Sequence, residues 1–299
     1  MTEVHYYTLM ADEHFQFVAA NNLLPMLEKD ILAPLNSAQK NAVTSDSTRT
    51  LVLAGAGSGK TRVLVHRVAW YLMTGQSSPF GTLAVTFTNK AAGEMRHRIE
   101  ALLGHSTKGM WVGTFHNIAH RILRAHWAAA GLSQDFNIID SDDQLRVLKR
   151  VIRELGIDDG ELSPKEAQWF INSKKDAGER PNSIDDFGER SLRNMIQLYS
   201  AYDKACNRSG LVDFGELLLR AYELLRTNPT ILGHYQERFR HILVDEFQDT
   251  NRLQYAWLRQ LAEGGANIFV VGDDDQSIYS WRGAQVRNMQ SFREDFSES

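Results

Sequence analysis

The sequence predicts an α/β fold built on a parallel β-sheet, with an all-helical domain inserted into it. Three observations predict this fold. Short apolar runs alternate with longer helical patterns, a glycine-rich loop joins the first run to a helix, and strand patterns are almost absent from the middle of the chain. Because parallel strands need crossover connections, such alternation is typical of a parallel sheet. A chain of 299 residues allows about two domains.

Five segments are predicted strands, because each is short, nearly continuously apolar and rich in β-branched residues. They are residues 50–54, 83–87, 110–115, 241–245 and 267–271. Residues 61–74 and 90–103 are predicted helices, and they end at Gly75 and Gly104 because glycine terminates helices readily.

Residues 116–240 carry helical rather than strand periodicity. Leu145, Leu148 and Ile152, for example, recur at the spacing of one helix face. We therefore predict four parts: an N-terminal extension without a clear pattern (1–34), the first part of the α/β domain (35–115), the helical insertion (116–240) and the second part of the α/β domain (241–299).

Composition and charge exclude several classes of protein. The chain has 33 Lys and Arg against 37 Asp and Glu, for a formal net charge of −4, so it is not a protein that coats nucleic acid through bulk charge. Cys206 is the single cysteine, which excludes an internal disulfide and a multi-cysteine zinc site. The sequence has no apolar run long enough to span a membrane, and its first basic residue is Lys29, unlike a secretory leader. We expect a cytoplasmic protein.

The segment AGAGSGKT lies between a predicted strand and a predicted helix, which is the setting of a phosphate-binding loop. An alternative is a glycine-rich turn that contains a lysine by chance, but such a turn does not explain the strand and helix around it. We expect Lys60 to contact the β- and γ-phosphates of a nucleotide and Thr61 to bind Mg²⁺. The other loop residues predicted to bind the nucleotide are Ala54, Gly55, Ala56, Gly57, Ser58 and Gly59. Ala54 stands where the usual pattern has glycine.

The segment HILVDEFQD supplies the second half of a nucleotide site. Its apolar strand delivers Asp245 and Glu246 at the carboxyl end, where α/β folds bind ligands. Asp245 is predicted to hold Mg²⁺, and Glu246 to deprotonate an attacking water. An acidic turn after a strand is the alternative, but together with the phosphate-binding loop the pattern indicates hydrolysis of Mg-ATP.

Three further segments follow predicted strands: TFTNKAA after the second, GTFHNIAHRILR after the third and GDDDQSIYSWRGA after the fifth. Taken with the two nucleotide motifs and LVDFGELLLRA in the insertion, they make the sequence resemble the UvrD/Rep family of superfamily 1 DNA helicases. This resemblance covers the chain from about Leu35 onward. It implies a RecA-like P-loop NTPase sheet, ATP and Mg²⁺ as cofactors, and single-stranded DNA and duplex–single-strand junctions as partners in the nucleoid.

The resemblance also assigns roles to individual residues. Gln39, in LNSAQ, is similar to a glutamine that reads adenine, Arg62 lies beside the loop, and Gln276 is similar to a γ-phosphate sensor. The residues that it implies for single-strand contacts are Thr86, Phe87, Thr88, Asn89, Thr114, Phe115, His116, Tyr279 and Trp281. Aromatic stacking tolerates any base sequence, which suits a translocating motor. For Trp281, a position in the protein core is the alternative.

Residues 90–126 are locally basic. Their six Lys and Arg residues face only Glu94 and Glu100. A solvated helical face is one interpretation, and a DNA-contacting face is the other, because the segment spans two predicted contact regions. His116 and His120 are four residues apart, as in some metal sites, but no third ligand is evident.

Two functions fit the motifs. In the first, the chain is the N-terminal ATP-binding half of a 3′→5′ DNA helicase. Members of the resembled family are much longer, and the resemblance leads us to expect that the 299 residues lack their second RecA-like domain, which completes the ATP site. In the second, the chain binds ATP or single-stranded DNA without motor activity. A nuclease subunit is a third class, but the sequence shows no acidic nuclease cluster.

Overall fold

The structure is a computed structural model that describes residues 31–55, 57–157, 162–273 and 287–296. The described strands are β1 (Arg49–Leu53), β2 (Thr82–Thr86), β3 (Trp111–Thr114), β4 (Asn137–Ile139), β5 (Leu211–Asp213), β6 (His241–Val244) and β7 (Asn267–Gly272). The described helices are α1 (Ser37–Thr44), α2 (Lys60–Met73), α3 (Asn89–Leu103), α4 (Phe115–Ala125), α5 (Ser141–Glu154), α6 (Pro164–Asp176), α7 (Arg190–Arg208), α8 (Phe214–Thr227), α9 (Pro229–Arg238), α10 (Arg252–Ala262) and α11 (Arg287–Asp295). None of these helices has the length and apolarity that a membrane span requires.

Five strands form a parallel sheet in the order β1-β7-β6-β2-β3. All five are strands that the sequence predicts, so the predicted α/β fold with a parallel sheet is confirmed. Each strand is only four to six residues long and its side chains alternate between two apolar layers. In β2, for example, Leu83 and Val85 face one layer and Ala84 faces the other. Burial on both sides explains why these strands are apolar throughout.

Helices cover both faces of the sheet. On one face, α1, α2 and α3 contribute buried residues such as Val43, Leu64 and Ile99. On the other face, α4, α8 and α10 contribute Ile122, Leu218 and Trp257 to a larger core. Helix α3 ends at Gly104, whose φ of 71° is left-handed, as the predicted helix end requires.

The middle of the chain is helical with one exception, which corrects the expectation of an all-helical insertion. Strands β4 and β5 pair in parallel, Asn137 opposite Leu211 and Ile139 opposite Asp213. Each strand has three residues, which is too short for an alternating pattern to stand out from neighbouring helices. Their pairing also joins segments that are distant in sequence, so no pattern of neighbouring residues predicts it.

The helices between residues 116 and 240 belong to two different hydrophobic cores, although they are consecutive in the sequence. Helices α5, α6 and α7 enclose a core of their own, which includes Leu148, Ile171 and Tyr199. Helices α4 and α8, by contrast, share the core that underlies the sheet. The predicted domain boundaries at residues 115/116 and 240/241 therefore remain predictions, because α4 and α8 pack with the α/β part.

A buried group of charges links α6, α7, β5 and α8. The ammonium of Lys175, 1% exposed, lies 2.8 Å from Asp213, 3.0 Å from Glu216 and 3.4 Å from Asp203. Burial alone would lower the pKa of Lys175, but these carboxylates raise it well above its ordinary value. Arg180 adds a second cation, which contacts Glu216 at 2.8 Å. The sequence analysis did not single out this network.

We expect Lys175→Met to lower the free energy of unfolding by about 3–5 kcal/mol, because it leaves buried carboxylates without their cation. Urea denaturation followed by circular dichroism measures the loss. Lys174→Met is the matched control, since the neighbouring Lys174 pairs with Glu179 near the surface and is 29% exposed. It should cost less than about 1 kcal/mol. Equal losses in the two variants would show that the buried network contributes no more than a surface pair.

Candidate functional site

The glycine-rich loop connects β1 to α2 and opens the amino end of that helix. Gly57 and Gly59 have φ angles of 71° and 85°, in the left-handed region that favours glycine. A Cβ atom at Gly59 would also lie 3.0 Å from the amide nitrogen of Gln39. Helix α2 begins at Lys60, directly after this turn, so its first backbone N–H groups face the loop. This geometry suits an anion such as a phosphate.

The ammonium of Lys60 lies across the mouth of the loop. It donates to the carbonyl oxygens of Ala54 (2.8 Å) and Gly55 (3.2 Å) and to Asp273 Oδ2 (3.1 Å). Because an ammonium has three protons, these contacts use its full donor capacity. A phosphate that enters the loop therefore has to replace at least one of them.

Thr61 and Asp245 meet at the carboxyl edge of the sheet. Thr61 Oγ1 donates to Asp245 Oδ2 at 2.9 Å, and Asp245 is 3% exposed. Burial, followed by the negative charge of Glu246, raises the pKa of Asp245 to about 6. A hydroxyl and a carboxylate side by side fit the oxygen ligands that Mg²⁺ prefers, so the two residues predicted to hold the metal are suitably placed.

Glu246 is held in an unusual backbone conformation, with a φ of 52°. Gln248 Nε2 donates to Glu246 Oε2 at 2.7 Å, and Gln248 Oε1 accepts from the backbone N–H of Asp273 at 3.0 Å. The amide of Gln248 thus joins the turn after β6 to the end of β7. Sequence reasoning missed Gln248 and Asp273, although both follow predicted strands, the same signal that identified Asp245.

Gln39, for which a base-reading role is predicted, lies beside the loop. Asn36 caps α1 and forms a reciprocal capping box with Gln39. The Gln39 amide nitrogen then donates to the carbonyl oxygen of Ser58 at 2.9 Å. Arg62 is exposed on the first turn of α2 next to this pair. The structure therefore brings Gln39, Arg62 and the loop together.

The predicted single-strand residues that follow β2 and β3 are adjacent. Thr88 and Thr114 cap α3 and α4, and Asn117 Nδ2 donates to Asn89 Oδ1 at 2.7 Å, joining the two helix starts. Thr88 and Asn89 are exposed, whereas Thr114 is half-buried. The end of β2 and the end of β3 thus form one surface.

Two of the predicted contact residues face inward. Thr86 and Phe115 are buried, and Phe87 is partly buried with its ring 6.2 Å from that of Phe115. The His116 ring packs edge-on at 6.0 Å against Phe214, which is exposed and which the sequence pattern does not single out. The side chains of Thr86 and Phe115 therefore support this surface from within.

Four predicted site residues lie outside the described part of the chain: Ala56, Gln276, Tyr279 and Trp281. Their roles stay predictions. His120, which the sequence pairs with His116 as a metal alternative, accepts a hydrogen bond from Arg124 at 2.9 Å. Within the described ranges, no group of three or more His, Cys, Asp or Glu side chains is placed to hold a metal ion.

Comparison with known proteins agrees with these motifs. Residues 35–297 match the UvrD/REP helicase N-terminal domain. The chain belongs to the UvrD/REP helicase family. It is 58% identical over 266 residues to DNA helicase II of Salmonella typhimurium and to that of Escherichia coli, and 39% identical over 271 residues to the ATP-dependent DNA helicase PcrA of Bacillus subtilis. These matches cover 89–90% of the chain, but only 37% of each relative's length.

Asp249 is a further buried carboxylate of this UvrD/REP site. Its Oδ1 atom has no hydrogen-bond partner among the described residues. Burial, and then the charge of Glu246, raise its pKa to about 6 from an ordinary 3.8. The ionised form is therefore penalised in the folded state. This penalty is complete above about pH 7 and disappears as the pH falls below 4 toward 3, where the folded and unfolded states both hold the proton.

We expect Asp249→Asn to raise the free energy of unfolding at pH 8 by about 1 kcal/mol, since solvent reduces the effect of the full pKa shift. At pH 3 the variant and the original chain should unfold at the same urea concentration. Asp135→Asn is the control, because Asp135 is exposed and should change stability little at either pH. A gain that persists at pH 3 would contradict the assignment to charge.

Proposed function

We propose that this chain is the ATP-binding half of an ATP-dependent DNA helicase that moves 3′→5′ and unwinds DNA in repair or replication. One observation carries the nucleotide part of the proposal: Lys60, Thr61, Asp245 and Glu246 come from two distant segments and converge at the carboxyl edge of the sheet. The names of its relatives, DNA helicase II and ATP-dependent DNA helicase PcrA, support the helicase part. The direction of movement follows from family resemblance.

The geometry suggests how these residues divide the work. In this proposal the loop N–H groups and Lys60 bind the phosphates, and Gln39, which lies beside the loop, reads the base. Thr61 and Asp245 would hold Mg²⁺, which neutralises charge on the phosphate oxygens. Glu246 then accepts a proton from the attacking water, while the hydrogen bond from Gln248 fixes the orientation of its carboxylate.

The surface after β2 and β3 is the proposed path of single-stranded DNA. Its hydroxyl, amide and imidazole groups, from Thr88, Asn89 and His116, suit contacts to phosphate and sugar, which position a strand without reading its sequence. Tyr279 and Trp281 are the proposed stacking residues for the bases. Duplex–single-strand junctions are the proposed substrate.

The chain spans 37% of the length of these relatives, so we propose that unwinding also needs the remainder of such a protein. In comparable phosphoryl-transfer sites, an arginine supplied from another domain contributes about 10³–10⁵ in rate. We therefore expect ATP hydrolysis and unwinding by the 299-residue chain to be close to background. They should rise when the remaining part of a relative is added. Robust unwinding by the chain alone would contradict this proposal.

A non-motor role is the second candidate. The contacts of Lys60, Thr61 and Asp245 all lie within this chain, which supports the proposal that it can bind ATP without another domain. In this alternative the chain binds ATP or single-stranded DNA and adding the second half restores no hydrolysis. The addition experiment therefore separates the two candidates.

We expect Lys60→Ala to weaken binding of a fluorescent ATP analogue by at least about 100-fold, because charge-assisted phosphate contacts are lost. Fluorescence titration measures the affinity, and circular dichroism checks the fold. Lys60→Arg keeps a positive charge beside Asp273 and should also lose affinity, because the longer planar head does not fit the loop. Lys149→Ala, at an exposed position on α5, is the control and should bind normally.

Glu246→Gln should retain ATP-analogue binding within a few-fold but slow hydrolysis by about 10²–10⁴, because the general base is lost while the carbonyl that accepts from Gln248 remains. Single-turnover hydrolysis is measured with the second helicase half added. Glu263→Gln, which alters an exposed carboxylate at the carboxyl end of α10, should hydrolyse normally. Hydrolysis at the original rate by Glu246→Gln would assign the base elsewhere.

A further inference from the structure

The basic segment 90–126 is not a continuous charged face. Arg98 forms an exposed ion pair with Glu94 at 3.6 Å. Arg124 lies over the ring of Phe136 at 3.7 Å and donates to the Phe136 carbonyl oxygen at 2.7 Å. Both arginines thus have local structural roles. The proposed ATP and single-strand sites use neither of the two that remain on these helices, Arg96 and Arg121.

Arg96 and Arg121 meet a third arginine, Arg238 of α9, beside strand β3. The guanidinium carbon of Arg121 lies 3.9 Å from the centre of the Trp111 ring, and that of Arg238 lies 5.2 Å from the same ring. Arg96 donates to the carbonyl oxygen of Val112 at 3.3 Å. Because β3 is the last strand of the sheet, we name these three residues the edge arginines.

The edge arginines concentrate positive charge that the described part of the chain does not neutralise. None of the three lies within 4.0 Å of a described carboxylate. The pKa of Arg121 is lowered, first by burial and then by the charges of Arg238 and Arg96. The charge of Arg96 contributes to the lowered pKa of Glu100, so this carboxylate is near Arg96. However, Glu100 already accepts hydrogen bonds from Thr107 and forms no ion pair with Arg96.

Hydrogen-bond donors also exceed acceptors at this place. Among the described residues, Nε of Arg238 and Nε1 of Trp111 are buried without a hydrogen-bond partner. Unpaired buried donors are costly and call for an acceptor. An oxyanion at this surface would supply the missing negative charge and would accept hydrogen bonds from the guanidinium groups.

Protection of the sheet edge is the simpler explanation, and it accounts for part of the geometry. Charged side chains often shield a free edge strand, and both Arg96 and Arg238 donate to carbonyl oxygens in the segment 109–112. Arg121, however, donates to no described edge carbonyl and stacks on Trp111 instead. Edge protection therefore does not explain why a third cation joins two that already repel it.

We propose that Arg96, Arg121 and Arg238 form a binding site for the phosphodiester backbone of a nucleic acid. Guanidinium groups match phosphate oxygens in geometry and charge. Phe80, 61% exposed, lies 5.9 Å from the guanidinium of Arg238 and offers a ring to a neighbouring base.

This site is distinct from the proposed single-strand path. Trp111 begins β3 and Thr114 ends it, so the two lie roughly 10 Å apart along the strand. The edge arginines thus give the chain a second nucleic-acid contact, on the amino-end side of the sheet edge. That contact requires neither ATP nor the residues at the strand ends.

The test compares two double variants with the same change in net charge. Arg121→Gln/Arg238→Gln removes two edge arginines, and Arg153→Gln/Arg208→Gln removes two exposed arginines from α5 and α7. Fluorescence anisotropy measures binding of labelled single-stranded and duplex oligonucleotides between about 50 and 200 mM salt. If each guanidinium contacts one phosphate, the slope of log K against log salt falls by about 0.7–0.9 per residue removed in the edge variant only.

The comparison of the two oligonucleotides shows whether a single strand or a duplex occupies the site.

Arg121→Lys should keep the slope of log K against log salt, because a lysine retains the charge at the phosphate. Equal slopes for the edge and control variants would overturn the proposal. So would equal losses in Arg121→Lys and Arg121→Gln, which would mean that the arginine acts by packing on Trp111. If the edge variant loses affinity for poly-glutamate but keeps its affinity for oligonucleotides, the site would be assigned to an acidic protein. That result would also overturn the proposal. Binding of the ATP analogue stays unchanged in every variant, which separates this test from that of the nucleotide site.

Discussion

The hydrogen bond between Thr61 and Asp245 joins residues 184 positions apart, and the proposed nucleotide site depends on it. It forms only because β1, β7 and β6 are adjacent and parallel, so that their carboxyl ends reach the same edge of the sheet. The left-handed turn at Gly59 then starts α2 at the position where Thr61 can reach across. A strand-register shift of one residue would move the carboxylate to the other face and separate the pair. Sheet order and turn conformation are therefore conditions of the chemistry.

The turn after Glu246 is fixed from two directions. Asn251 Nδ2 donates to Asp176 Oδ1 at 3.0 Å, and Asn288 Nδ2 donates to the carbonyl oxygen of Thr250 at 2.8 Å. Asp176 is the neighbour of Lys175, so the same end of α6 contacts both the segment that follows Glu246 and the buried ion-pair network. A segment that holds Glu246, the proposed catalytic carboxylate, in a left-handed conformation needs such support, because that conformation is costly for residues other than glycine. The helical insertion thus contributes to the rigidity of the proposed active site.

The sequence predicts the parts of this protein that are encoded locally. The phosphate-binding loop is one continuous segment, and Asp245 directly follows an apolar strand, so both can be found without knowledge of the fold. The Lys175 network and the contact between Lys60 and Asp273 could not be found in this way, because they join residues from distant segments whose charges look like ordinary surface charges. Strands β4 and β5 were missed for the related reason that three residues carry too little periodicity.

The formal net charge of −4 hides a separation of charge within the molecule. At the carboxyl edge, Asp245 and Asp249 lie close to Glu246, and repulsion adds to burial in raising their pKa values. Beside β3, the edge strand two positions from β6, arginines repel one another. Folding keeps like charges together only where packing compensates or a ligand of opposite charge binds. A cation at the first cluster and a phosphate backbone at the second would each relieve the repulsion. In both clusters, therefore, a ligand of opposite charge would stabilise like charges that folding brings together.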